Sequence, residues 1–156
     1  MILRGIFRGG LAGGLLAAAF SVLGIIPICG FFALPLRLIA WTFAGYVAGN
    51  IALRGGIRSG GVAAGMGAGA LAGVINGVAN IVLSPLAFKL AGSQIAALLL
   101  LPDSVIQYFL SLGIDISQMN TVGGSIFFAT MTCSVLWLLA GLMGMLGGGV
   151  AQALTD

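Results

Sequence analysis

Apolar residues run almost unbroken along this chain, and the polar positions gather into short clusters that divide it into four long stretches. About 20 residues cross the hydrocarbon of a bilayer. Stretches 9–28, 36–53, 60–83 and 122–146 all reach that scale, so the pattern predicts an all-α, polytopic membrane protein of four transmembrane helices. Pro27 is expected to end the first, Pro35 to precede the second, and Ser84 with Pro85 to close the third. Asn120 and Thr121 are placed to cap the fourth, and the run Gly147, Gly148, Gly149 to loosen its end.

The intervening piece 91–120 has a different pattern. Ser104, Gln107, Tyr108 and Ser111 fall on one side of a helix, and Val105, Ile106, Phe109 and Leu110 on the other. Asp103 or Ser104 can cap it and Gly113 close it, which predicts a short interfacial amphipathic helical segment or a lid. A re-entrant pair of half-helices stays open as well.

Small residues repeat every four positions within the spans. Gly61, Gly65, Gly69, Gly73 and Gly77 form the longest row; Gly10 with Gly14, and Gly45 with Gly49, form others. Residues four apart share a helix face, so each row is a bare groove into which another backbone can pack, the expected helix-packing interfaces of the protein. In a soluble helix each glycine costs about 0.8–1 kcal/mol against alanine, which is offset here only by close approach. Gly147, outside the main row, is expected to tolerate bulk better than Gly69 or Gly73. Two readings of larger order stay open. Trp41, Ala44 and Gly45 recur as Trp137, Ala140 and Gly141, and Gly9, Gly10 and Gly14 match Gly60, Gly61 and Gly65, as a parallel repeat of two hairpins would require. With 27 glycines in the chain, chance supplies such matches too.

Composition narrows the function classes. Of 156 residues 60% are hydrophobic and 6% charged, with mean hydropathy +1.22. Six basic side chains against three acidic ones are too sparse for a nucleic-acid surface, and read as orientation signals at helix ends. Arg4, Arg8, Arg54 and Arg58 fall on one side of the predicted topology, Arg37 and Lys89 on the other with Asp103 and Asp115. The positive-inside rule then puts both termini in the cytoplasm, in a prokaryotic plasma membrane. Arg4 and Arg8 before an apolar run also resemble a signal peptide, but Ile26, Pro27 and Ile28 before Cys29 offer no small-residue cleavage site, so a retained first span is expected. Trp41, Phe31, Phe32, Phe88 and Tyr108 suit interfacial anchoring, whereas Trp137 falls deep in its span.

Candidate chemistry is sparse. The chain has no His and no Glu, and its two cysteines lie far apart, so no metal site, cofactor site or catalytic constellation is expected and the protein reads as non-enzymatic. Polar side chains within the spans are Asn50, Asn76 and Asn80, with Thr130, Thr132 and Ser134 on the last. As helix glue they would serve assembly, as a homo-oligomer or as an accessory subunit among other membrane subunits and lipid. As the lining of a pathway near Asn76 and Asn80, they would serve a small channel or transporter.

Ala40, Phe43 and Arg54, followed by a glycine-rich helix carrying Gly67, resemble part of the signature of the Tim17/Tim22/Tim23 family of preprotein and amino-acid translocators over about 30 residues. This chain has Arg58 where that family has an acid, and Leu71 where its last glycine falls. The resemblance implies a four-helix, glycine-rich translocator. The chain is similar, too, to small four-span glycine-rich proteins of prokaryotes, a likeness that implies no activity.

Overall fold

A computed structural model describes residues 2–23, 27–57, 60–91, 107, 110–111 and 122–155. Among the described residues the regular structure is helical, with no strand: α1 (Ile2–Leu23), α2 (Pro27–Arg54), α3 (Gly61–Ala91) and α4 (Val122–Ala153). All four are long and apolar enough to cross a membrane, consistent with an integral membrane protein. The predicted interfacial segment 91–120 lies almost wholly outside the described residues; within it Gln107, Leu110 and Ser111 are helical and exposed.

Helix ends depart from the sequence expectations for identifiable reasons. Pro27 opens α2 instead of ending α1, a position where its missing N–H costs nothing. Pro35 and Pro85 lie inside helices, which continue through them. The run Gly147–Gly149 stays helical, with Gly147 and Gly148 tightly packed. A Cβ on Gly147 would collide with the Thr42 carbonyl oxygen and one on Gly148 with that of Gly61. Gly147 is therefore as constrained as the main row. Between α2 and α3 the chain reverses through a Schellman turn. The Gly56 N–H donates to Leu53 O at 2.9 Å and the Ile57 N–H to Ala52 O at 3.4 Å, with Gly56 at φ +84°. Gly60 accepts the first bond of α3, from the Ala64 N–H at 2.9 Å.

The helices run alternately up and down, so the start of α1 and the end of α4 lie at the same end of the bundle. Going round it, α1 packs on α2, α2 on α4, α4 on α3 and α3 on α1, while α2 and α3 also meet across the short diagonal. The bundle is a rhomb in cross-section, with α1 and α4 at its far corners.

Glycine rows fix these contacts. On α1, Gly5, Gly9 and Gly13 face α2, with a Cβ on Gly9 standing 2.5 Å from Ala44 O, whereas Gly10 and Gly14 face Leu71 and Ile75 of α3. Gly45 and Gly49 of α2 meet Gly144 and Gly148 of α4. The row Gly61, Gly65, Gly69, Gly73 and Gly77 runs against Gly148, Gly144, Ala140, Trp137 and Cys133 of α4, backbone on backbone for most of its length. Gly67, on another side of α3, receives Ile6 of α1.

Inside the two hairpins the packing is alike. Gly5, Gly9 and Gly13 meet Ala48 and Ala44 of α2 as Gly65, Gly69 and Gly73 meet Gly144 and Ala140 of α4. That correspondence keeps the Trp41–Trp137 match but pairs Gly9 with Gly69, and so replaces the Gly9–Gly60 register read from sequence. Environments between hairpins are not equivalent: a Cβ on Gly45 would strike Gly144, whereas one on Gly141 would meet open space.

Candidate functional site

The core enclosed by these contacts is built almost entirely of alanine and glycine. Ala17, Ala40, Ala44, Ala48, Ala52, Ala64, Ala68, Ala72 and Ala140 are fully buried. Against that background the two largest fully buried side chains among the described residues are Trp41 and Asn76, and both carry a polar tip.

They belong to one group. Arg37 and Trp41 stand one turn apart on α2; Asn76 and Asn80 stand one turn apart on the antiparallel α3. Arg37 Nη2 donates to Asn80 Oδ1 at 3.4 Å, a long bond, and the same antiparallel register brings Trp41 level with Asn76 one turn on. Ser21, near the end of α1, closes the group from the third side. Its hydroxyl lies 2.6 Å from Asn76 Oδ1 and 3.0 Å from its own helix's Ala17 O. The result is a ladder of two polar rungs where α2 and α3 meet, about 25 Å along the helices from the end that carries Arg54.

Donors dominate the ladder. Guanidinium and indole have no acceptor atom, so Asn80 must turn its oxygen toward Arg37 and its NH2 away. Among the described residues no acceptor reaches Arg37 Nε, Trp41 Nε1 or Asn80 Nδ2, although all three atoms are buried. Asn76 Nδ2 is likewise unpartnered as placed. Ser21 has one proton for two acceptors, and turning the Asn76 amide would let Nδ2 donate to it, but would then strand Oδ1. Each stranded donor costs about 1–3 kcal/mol where nothing meets it. Arg37 also brings a positive charge into the candidate span Phe32–Arg54, and the only acidic residues of the chain, Asp103, Asp115 and Asp156, fall outside the described residues.

The other polar positions read from sequence are not brought to the ladder. Thr130, Thr132 and Ser134 are exposed on α4; the Thr130 hydroxyl bonds Ile126 O at 2.9 Å and that of Ser134 bonds Thr130 O at 3.5 Å. Asn50 is half-buried in the last turns of α2, far along the helix from Arg37. Trp41, expected at the interface, is buried among Ala17, Ala40, Ala44 and Ala72, and Trp137 is the outward-facing one at 43% exposed. The reading of Arg37 as an orientation signal missed its place in the ladder. Its spacing to Trp41 matches that of Asn76 to Asn80, and this shared four-residue period was the available signal.

Among the described residues, surface notches flank α4, one of about 380 Å³ between Val74, Val78, Cys133 and Trp137 and another of about 390 Å³ between Leu38, Thr42, Tyr46 and Val150. Both are apolar and open, as surface facing acyl chains would be. Comparison of the chain with family models, with curated proteins and with solved structures finds no match in any of the three.

Proposed function

We propose that this chain is a small membrane protein of the channel or transporter class, non-enzymatic, that takes a polar solute at the ladder between α2 and α3. One observation carries the reading: among the described residues the fully buried positions are nearly all alanine and glycine, and the large exceptions are the polar-tipped Trp41 and Asn76, one turn along their helices from Arg37 and Asn80. Glue alone would be served by mutually satisfied amides, whereas here the donors exceed their acceptors. An ionisable side chain within a span is costly and marks a substrate or ion path more often than a packing contact. The partial resemblance to preprotein and amino-acid translocators favours the same class. On the positive-inside rule the end bearing Arg4, Arg8 and Arg54 faces the cytoplasm of a prokaryotic cell.

Assembly with copies or other subunits, which the glycine rows suggested in the sequence, draws less support. The long row of α3 is filled by α4 of the same chain, and Gly67 by Ile6. The remaining outer face, with Leu15, Phe127, Val135 and Leu138, suits lipid equally well.

The test is flux through liposomes containing the purified protein, using a panel of small ions and neutral solutes. Loss of a measured flux in Asn76→Leu with Asn80→Leu, at unchanged helix content, is the expected result. Flux unaltered by that pair removes the pathway.

A further inference from the structure

We infer that the ladder is a binding site for a small monovalent anion, held through its acceptor atoms by Arg37 and Trp41. This deepens the proposed solute site by naming the chemistry of its ligand.

Three features select an anion over a cation or a neutral polar molecule. The fixed charge of the group is that of one guanidinium, and no carboxylate stands among the described residues of the helices around it. One negative charge therefore neutralises the site, and a cation would be repelled. Next, Arg37 Nε–H and Trp41 Nε1–H are buried donors with no acceptor among the described residues, so a ligand there would bring lone pairs and need bring no proton. Finally, the walls beyond the rungs are methyl groups of Ala17, Ala40, Ala44 and Ala72, which strengthen charge-assisted bonds by excluding water. Halides, simple carboxylates and a phosphodiester share this description. The last could come from a lipid headgroup reaching Arg37 at the mouth.

Trp41 is the reporter. With Trp137→Phe it is the sole tryptophan, and its full burial shields it from collisions with aqueous ions. The experiment titrates the detergent-solubilised full chain with sodium iodide at constant ionic strength set by sodium sulfate, and reads Trp41 emission. Saturable quenching, reversed by sodium chloride or sodium acetate, is expected. Reversal by phosphatidylcholine micelles, with chloride and acetate inert, would identify the headgroup as the source of the same anion chemistry.

Arg37→Gln should weaken the saturable phase at least about tenfold, the loss expected for one charge-assisted bond. Asn80→Asp supplies a carboxylate beside the guanidinium, and should abolish the phase while the melting temperature holds or rises, which separates site loss from misfolding. Quenching that is absent or strictly linear in the parent overturns the inference, as does full retention in both variants. Saturable quenching that appears only after Asp103→Asn or Asp115→Asn also overturns it, since the chain's own acid would then fill the site. Quenching without flux retires the transport reading and leaves the site, whereas flux without quenching retires the site alone.

Discussion

The sulfur of Cys133 on α4 occupies the place where a Cβ on Gly77 of α3 would stand, so the glycine is the socket and the thiol its plug. Gly77→Ala should therefore lower stability by about 1–3 kcal/mol, the usual scale of overpacking. Cys133→Ala leaves a smaller residue over the socket, and the double variant should recover most of the loss. A double-mutant cycle on unfolding in detergent micelles measures the coupling. Additive effects would show that α3 and α4 do not meet at this pair.

Further along the same contact, a Cβ on Gly69 would run into the Ala140 carbonyl oxygen, which is backbone and cannot swing aside. Gly141, on α4, would present a Cβ to open space. Gly69→Ala is expected to lower the thermal midpoint, and Gly141→Ala to leave stability unchanged or raise it by up to about 1 kcal/mol from helix propensity. Gly147→Ala should resemble Gly69→Ala, because Thr42 O stands over it. Equal tolerance at all three positions would contradict the packing described.

Gly56 is constrained by its backbone rather than by its neighbours. At φ +84° it meets nothing within 4 Å, yet any L side chain there enters the left-handed region. Gly56→Ala should cost about 1–2 kcal/mol and loosen the α2–α3 turn. Amide exchange at Gly56 and Ile57 would rise if the Schellman bonds are lost, and unchanged exchange would refute the turn's role.

Removing the hydroxyl at Ser21 tests the ladder from the side. Ser21→Ala takes the described partner from Asn76, and a buried amide left wholly unmet costs about 1–3 kcal/mol. Adding Asn76→Leu should return part of that loss. Ser21→Ala with no effect on stability would mean that Asn76 bonds elsewhere.

Four spans were legible because length and apolarity suffice to find helices of this kind. Their ends were less so. Proline rules drawn from soluble helices placed stops at Pro27 and Pro85, where one proline opens a helix and the other sits within one. The glycine row of α3 announced a close neighbour, but a period of four cannot say whether that neighbour is α4 or a second copy. Asn76 and Asn80 were visible as polar residues in an apolar run. Their pairing with Ser21 and Arg37 was not, since it depends on the register between helices. Arg37 carried two meanings in the sequence, topology marker and half-buried cation within a span, and its contact with Asn80 separates them.

Alanine and glycine have no side-chain torsions to freeze, so an interior made of them gives up almost no rotamer entropy when the helices close on one another. It also gains almost no capacity to adjust. Among the fully buried side chains of the described residues, rotatable bonds beyond the methyl belong to Trp41 and Asn76. A change of shape deep in this bundle must therefore either turn those two or slide whole helices along their grooves.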